Sequence, residues 1–182
     1  MFNINKMYYT GIDMNIDNMP FRKSARIKNY DYAQNGAYFV TVCTCDRKPI
    51  LSQIKNSDRN IPQIINHDIG IEIENSIAYI NEHYKTVNII KYVIMPNHIH
   101  MIVLLQSDGL CEDKADKSLQ SVIGQFKSFV TKRFNEIRKS KHETLWQRSF
   151  YDRVIRDEQE YLEVWRYIDK NPIKWDLDEY RV

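Results

Sequence analysis

The chain has 182 residues, 43% of them hydrophobic and 27% charged, which is enough for one well-buried core and short for two. No apolar run is long enough for a membrane-spanning helix, and the N-terminus lacks a signal-peptide pattern, so we expect a cytoplasmic protein without a membrane partner. Cys43, Cys45 and Cys111 form neither a disulfide framework nor a zinc knuckle, and a net charge of +2 is compatible with nucleic acid without arguing for it.

Residues 1–30 have the composition of a flexible basic arm. Asn, Asp and Met alternate along this segment without helical or strand periodicity, and its end carries a cluster of basic residues, Arg22, Lys23, Arg26 and Lys28. The periodic apolar segments all follow this arm. We therefore expect residues 31–182 to form a single domain.

The first half of this domain alternates strand and helix patterns. Residues 36–44 are dense in aromatic and β-branched side chains and predict a strand. Between residues 68 and 85, isoleucines recur at helical spacing, which predicts a helix packed on the sheet. Residues 88–95 and 98–105 are β-rich and flank the turn signal Pro96–Asn97, so they predict an antiparallel hairpin.

The second half continues with two helices and one strand. Residues 118–137 predict a helix with one apolar face, and residues 145–154 predict a fourth strand. Asp157 is a suitable N-cap for a last helix that runs to about Lys170. The order β-α-β-β-α-β-α predicts an α+β fold, a ferredoxin-like antiparallel sheet with two helices on one face and the C-terminal helix across the other.

Two histidines stand two residues apart in the fourth predicted element, which runs from residue 98 to residue 105. Because alternate residues of a strand share a face, the His98 and His100 side chains should point the same way. Two neutral imidazoles on one rigid strand suit a divalent metal ion and leave coordination positions open. Structural histidines packed in the core are the alternative that this pattern leaves open.

The last helix is the element that can lie over these histidines. Tyr167 and Asn171 are four residues apart, so they share one face of that helix. A candidate nucleophile and a candidate oxygen ligand would then reach the histidines together. The alternative is that Tyr167 packs against the sheet and Asn171 ends the helix.

Five segments in order resemble the motifs of the REP-associated tyrosine transposases. This family is a branch of the single-tyrosine transposases called HUH, for histidine, bulky hydrophobe, histidine. The resemblance extends over about residues 22–175. The matching segments are Asn29–Tyr32 with Asn35–Thr41, Met95–His100, Gly124–Ser128, Leu145–Asp152 and Tyr167–Pro172.

The resemblance implies that residues 31–182 form an HUH transposase-like catalytic domain. In it, His98 and His100 would bind Mg²⁺ or Mn²⁺, Tyr167 would be the nucleophile, and Asn171 would complete or support the metal site. The implied reaction is cleavage of single-stranded DNA through a 5′-phosphotyrosine, followed by joining of the phosphate to another 3′-hydroxyl. The implied substrates are single strands that contain hairpins of the repetitive extragenic palindrome (REP) type, and relatives act as monomers or as homodimers.

Such a substrate needs cations and exposed rings. Aromatic side chains that could stack on unpaired bases are Tyr38, Trp146 and Phe150, although each also suits the core. The basic side chains that we expect to contact phosphates are the arm cluster Arg22, Lys23, Arg26 and Lys28, then Lys127, Lys132 and Arg133 on the second helix, and Arg148, Arg153 and Arg156 beside the fourth strand.

Two other functions compete with the transposase interpretation. One is a non-catalytic DNA-binding or regulatory protein that keeps the fold and the hairpin preference. The other is a metal-dependent hydrolase that adds an acidic ligand to His98 and His100, although no Asp or Glu with ligand spacing stands near them in the sequence. The positions of the side chains around the histidines discriminate between these readings.

Overall fold

The computed structural model describes residues 31–56, 61–107, 117–175 and Tyr180. The predicted arm at residues 1–30 lies outside the described residues, and Cys111 does as well. The predicted domain at 31–182 is therefore described apart from residues 57–60, 108–116, 176–179 and 181–182.

Strands and helices follow one another closely along the described chain. A single 3₁₀ turn at Cys45–Arg47 follows the first strand. The elements are β1 (Gly36–Cys43), β2 (Ser52–Asn56), β3 (Pro62–Asn66), α1 (Asp68–His83), β4 (Val87–Ile94), β5 (His98–Leu105), α2 (Leu119–Arg138), β6 (Tyr151–Ile155) and α3 (Glu158–Lys170).

Four of these strands form one antiparallel sheet in the order β4-β5-β1-β6. The pairing of β1 with β5 places Gly36 opposite Leu105 and Cys43 opposite His98. Helix α1 precedes β4 and helix α2 precedes β6, as the ferredoxin-like arrangement requires. The predicted α+β fold is confirmed, and the hairpin at Pro96–Asn97 joins β4 to β5.

Helices α1 and α2 pack against each other on one face of this sheet. The apolar side chains of that face, among them Ile99, Met101 and Val103 of β5, form one core cluster with residues of both helices such as Ile73 and Phe126. None of the helices in the described ranges is long and apolar enough to span a bilayer.

A second, two-stranded sheet was not predicted from the sequence. It consists of β2 and β3, which pair in antiparallel fashion with Ile54 opposite Ile64. Both isoleucines are half-buried against the apolar cluster under α3. The strands are five residues long and mix polar with apolar side chains, so their pairing depends on this tertiary contact more than on a strong strand pattern.

The predicted strand at 145–154 is shorter in the structure than in the sequence pattern. The regular ladder starts only at Tyr151, and Trp146 makes one isolated bridge to Thr44. Trp146 is buried beside Phe126, and its indole N–H donates to the Lys127 carbonyl at 3.2 Å. Packing against α2 therefore accounts for the aromatic character that suggested a longer strand.

Helix α3 lies on the opposite face of the sheet, against β4 and β5. Its predicted N-cap is confirmed, because the Asp157 carboxylate accepts from the Glu160 N–H at 2.8 Å. At its other end, Asp169 pairs with Lys91 of β4, and the Lys91 ammonium lies 4.6 Å from the ring centre of Trp165. The contacts of Lys91 with Asp169 and Trp165 thus hold the C-terminal half of the helix that carries Tyr167 against the sheet.

Candidate functional site

His98 and His100 begin strand β5 and are both fully buried. Their ring centres are 4.5 Å apart, so the two imidazoles share the face that α3 covers. The ring of Phe39, on the neighbouring strand β1, packs 5.2 Å from His100. The alternation of the strand therefore brings the two histidines together as the sequence predicted.

Asn97 fixes which nitrogen of His98 carries the proton. The Asn97 Nδ2 group donates to the carbonyls of Arg47, at 3.1 Å, and Tyr180, at 2.5 Å. Its Oδ1 must then be the acceptor for His98 Nδ1, 2.9 Å away, because an amide oxygen has no proton to donate. Neutral His98 therefore holds its proton on Nδ1, which leaves the Nε2 lone pair available for a metal ion.

His100 is held in the same way by Thr41 and Tyr167. The Tyr167 hydroxyl lies 3.3 Å from His100 Nε2, and Thr41 Oγ1 lies 2.8 Å from His100 Nδ1. When the phenol donates to Nε2, the imidazole proton is on Nδ1 and donates to Thr41. Both histidines thus direct an Nε2 lone pair to the side where α3 lies.

Burial keeps both rings neutral. Loss of solvation lowers the pKa of His98 to about 3, while its interaction with the Asn171 side chain partly opposes this and the charge of Arg47 adds to it. Burial, followed by the neighbouring His98, holds the pKa of His100 well below its usual range. Neutral imidazoles are the form that binds a metal ion.

Asn171 is the third polar group on this face. It ends α3 one helical turn after Tyr167 and is buried, and its side chain interacts with His98. Its Oδ1 makes no hydrogen bond of ordinary geometry to any described residue. A buried carbonyl oxygen without a donor is costly, and a cation beside the two imidazoles would satisfy it. This donor set fits a divalent ion.

Acidic ligands do not complete such a site in the described part of the chain. Within those residues, no three His, Cys, Asp or Glu side chains cluster closely enough to hold a metal ion. The candidate ligands are thus two imidazoles and one amide oxygen, which leaves coordination positions for a substrate. The hydrolase reading, which needs an acidic partner, gains no support from these residues.

Tyr180, which sequence reasoning did not single out, covers the two histidines. Its buried ring lies 4.7 Å from that of His98 and 5.8 Å from that of His100, with the Arg47 guanidinium 5.2 Å from its centre. Thr41 and Asn97 were missed as well. Asn97 and Thr41 lie within matched segments, a signal that could have found them, whereas Tyr180 lies outside those segments and meets the histidines only through the fold.

The predicted phosphate contacts lie in different surroundings. Lys132 and Arg148 are exposed, whereas Arg133 forms ion pairs with Glu72 and Glu136. Arg153 pairs with the buried Glu160, which also accepts from the Arg156 N–H at 2.7 Å and so ties β6 to the first turn of α3. These residues stay predicted DNA contacts, and Arg22, Lys23, Arg26 and Lys28 lie outside the described residues.

Lys127 is partly engaged within the protein. Its ammonium donates to the carbonyls of Gln147, at 2.7 Å, and Arg148, at 3.0 Å, and burial lowers its pKa.

Of the three candidate stacking rings, Tyr38 and Trp146 are buried in the core under the helices, so they are not available to bases. Phe150 is only half-buried.

Comparison with known proteins identifies the fold and the family. The family model described as "Transposase IS200 like" matches residues 33–171. An uncharacterized protein of Haemophilus influenzae is 30% identical over 175 residues, covering 88% of this chain and 93% of that protein. A second protein of the same organism, named as a REP-associated tyrosine transposase, is 29% identical over 157 residues, covering 81% of this chain and 77% of its own length.

A solved structure agrees with these sequence matches. It is a REP-associated tyrosine transposase bound to a REP hairpin, with a TM-score of 0.54 and 18% sequence identity, and the match covers 86% of this chain and 77% of that one. At this identity the likeness shows the fold alone. The resemblance carried by the five motifs is confirmed, and the chain belongs to the family of IS200-like transposases.

Proposed function

We propose that this protein cuts and rejoins single-stranded DNA, with Tyr167 as the nucleophile. The observation that carries the proposal is the position of the Tyr167 hydroxyl, 3.3 Å from Nε2 of a buried, neutral histidine that has a second neutral histidine beside it. Membership of a transposase family supports the same reaction class. A DNA substrate favours the cytoplasm.

We assign His98, His100 and Asn171 as the residues that would hold a divalent cation, Mg²⁺ or Mn²⁺. When bound, this ion would neutralise the charge that develops on a DNA phosphate as it is attacked. Asn97 and Thr41 keep the two imidazoles oriented with Nε2 toward the cation. The Tyr167 hydroxyl now uses the His100 Nε2 lone pair, so it must leave that nitrogen before the histidine can become a ligand.

Tyr167 provides the covalent step. Its oxygen bonds to the phosphorus as the bond to the 3′-oxygen breaks, which produces a 5′-phosphotyrosine and a free 3′-hydroxyl. The tyrosyl ester retains the energy of the original phosphodiester, so another 3′-hydroxyl can displace the tyrosine without ATP. Helix α3 supports this step because Glu160 pairs with Arg153 of β6 and Asp169 pairs with Lys91 of β4, and these contacts hold the phenol over the histidines.

The substrate we propose is single-stranded DNA that contains a hairpin. Its support is the fold shared with a transposase that was solved bound to a REP hairpin, and the relative that is named for the same palindromes. The hairpin would bring the scissile phosphate to Tyr167 by binding outside the catalytic face.

The test is the formation of a covalent adduct. The purified protein is incubated with end-labelled single strands from the palindromes that flank its gene, with Mn²⁺, and analysed by denaturing gel and peptide mapping. Tyr167→Phe should abolish the adduct and leave DNA binding intact, while Tyr79→Phe, on the exposed face of α1, should cleave like the wild type. A Tyr167→Phe protein that still cleaves, with loss of cleavage in Tyr180→Phe, would overturn the assignment.

One observation favours a second candidate, a DNA-binding protein without catalysis. The Tyr180 ring packs against both histidines and restricts access to the proposed metal site. The same assay separates the two functions, because this candidate requires tight hairpin binding with no adduct at any Mn²⁺ concentration.

A further inference from the structure

A polar groove lies on the far side of the sheet from Tyr167. It runs between the C-terminal half of α2 and the segment 141–148 and has a volume of about 430 Å³. Volumes of this size suit a group as large as one nucleotide. Its walls carry three hydroxyl side chains, Ser128, Thr131 and Thr144.

The cations of this groove are more numerous than its anions. Lys127, Lys141 and Arg148 line it, together with His142. The one carboxylate among its lining residues, Glu143, is paired with Arg138 at 3.6 Å, so its charge is already compensated. Lys141 and Arg148 are exposed and form no ion pair with a described residue.

The walls of the groove are held in place by internal hydrogen bonds. Asn135 binds both sides, since its Nδ2 donates to the Thr131 and Glu143 carbonyls and its Oδ1 accepts from the Glu143 N–H. The Lys127 ammonium fixes the carbonyls of Gln147 and Arg148 on the opposite side. The rim side chains Lys141 and Arg148 therefore project from a preformed support, which lowers the entropy cost of binding.

The groove and the histidines flank the same end of the central sheet. The Gln147 N–H donates to the Cys43 carbonyl at 2.9 Å, and Cys43 is the register partner of His98. Two strand spacings, about 10 Å, thus separate Gln147 from His98 along the sheet. The exposed Tyr151 pairs with Thr41, which is the register partner of His100, and its ring lies 6.4 Å from that of Tyr180. A DNA strand held at Tyr167 can pass around this end of the sheet within a few nucleotides.

We propose that this groove binds the phosphates of the single-stranded DNA that flanks the hairpin, with Lys141 and Arg148 as its two phosphate contacts. The inference rests on the proposed function for the identity of the hairpin, and adds a second binding site on the helix side of the sheet. Its volume of about 430 Å³ suits one nucleotide of a single strand, and its rim cations are placed to contact that strand's phosphates. Neutralising the two rim cations should therefore weaken binding of the flank and leave the hairpin stem unaffected.

The experiment measures DNA affinity across a salt series in the Tyr167→Phe background, so that no strand is cut. The test variant is Lys141→Gln with Arg148→Gln. The matched control is Lys55→Gln with Lys85→Gln, which removes the same charge from exposed positions elsewhere in the fold. The probes are one hairpin with a single-stranded extension, the same hairpin with blunt ends, and an unstructured oligothymidine. Thermal unfolding verifies that both variants fold.

For the extended hairpin, the slope of log affinity against log salt should become less negative by about 1.4, because each phosphate contact of a single strand contributes about 0.7. The ratio of wild-type to variant affinity should then grow about 25-fold between 1 M and 0.1 M salt. The blunt hairpin should show no such change. A test variant that behaves like the control on the extended hairpin, or that loses the blunt hairpin equally, would refute the site.

The oligothymidine separates this proposal from the proposed function. If the wild type showed no hairpin preference and no adduct, the proposed function would fail. The groove would still be tested by oligothymidine. In the test variant, the slope of log affinity against log salt for this probe should become less negative by about 1.4. An unchanged slope for that probe refutes the groove independently of any catalytic result.

Discussion

The two faces of the central sheet differ in what one strand contributes to each. All eight residues of β5 are buried, but Ile99, Met101 and Val103 face the helix layer while His98 and His100 face α3. The helix face is filled by apolar side chains from both helices. The α3 face buries imidazole, amide and hydroxyl groups instead. Stability and chemistry are thus divided between adjacent residues of a single strand.

This difference shows how a buried polar site is tolerated. On the helix face, every apolar side chain that leaves water stabilises the fold. A buried polar group instead lowers stability unless it is hydrogen-bonded. Thr41 and Asn97 satisfy the Nδ1 atoms of the histidines, and Tyr167 satisfies Nε2 of His100. The Asn171 Oδ1 remains without a described donor, at the position we assign to a cation.

The largest effect is expected for His100→Ala, on the α3 face. Loss of one of the two imidazoles should abolish Mn²⁺-dependent adduct formation, while the stability lost by truncating a buried ring should still leave the protein folded without urea. Gel assays and urea unfolding measure the two quantities. Met101→Leu, the volume-conserving change one residue further along, is the control and should retain activity. Adduct formation at the wild-type rate in His100→Ala would show that the α3 face is not the catalytic one.

Met101→Ala tests the opposite face. Met101 is fully buried under the helices, so its truncation should lower the unfolding free energy by about 2–5 kcal/mol. Urea unfolding at neutral pH measures the loss. At urea concentrations below its unfolding midpoint, the Met101→Ala variant should still form the adduct, because residue 101 faces away from the histidines. A folded Met101→Ala protein without activity would mean that the two faces are coupled.

Asn97→Ala tests whether Asn97 orients the His98 imidazole for metal binding on the α3 face. Without the amide, His98 loses the acceptor that keeps its proton on Nδ1, and Mn²⁺ affinity should fall about 10- to 100-fold. Electron paramagnetic resonance of free Mn²⁺, recorded without DNA, measures that affinity. Asn97→Asp keeps an acceptor oxygen for His98 and should bind more tightly than the alanine variant. Equal affinity of wild type and Asn97→Ala would refute the orienting role.

The smallest effect concerns the pH dependence of stability in the metal-free protein. Unfolded histidines bind protons near pH 6.5, but folded His98 stays neutral until about pH 3 and His100 is lowered as well. Acid therefore favours the unfolded state, and stability should fall by about 1 kcal/mol per histidine between pH 6.5 and 5.5. Urea unfolding with a chelator measures this slope. The double variant His98→Gln with His100→Gln should flatten it, and an equally steep slope there would assign it to other groups.

Much of the fold follows from local pattern. The strand alternation of residues 98–105, the helical spacing of 68–85 and the N-cap at Asp157 were each readable because neighbouring side chains alone decide them. The hairpin of β2 and β3 was missed because its strands are short and polar, and only packing against the cluster under α3 selects them. The strand start at Tyr151 was missed for a related reason, since Trp146 is buried by α2.

The sequence by itself determined that His98 and His100 share a face and that Tyr167 and Asn171 share another, because the periods of a strand and a helix follow from covalent geometry. Only the tertiary structure decided that these faces meet, with Tyr167 at 3.3 Å from His100. It also decided that Thr41 lies beside His100 and Tyr180 over both histidines. Such contacts join residues far apart in the chain, and the packing of the whole domain creates them.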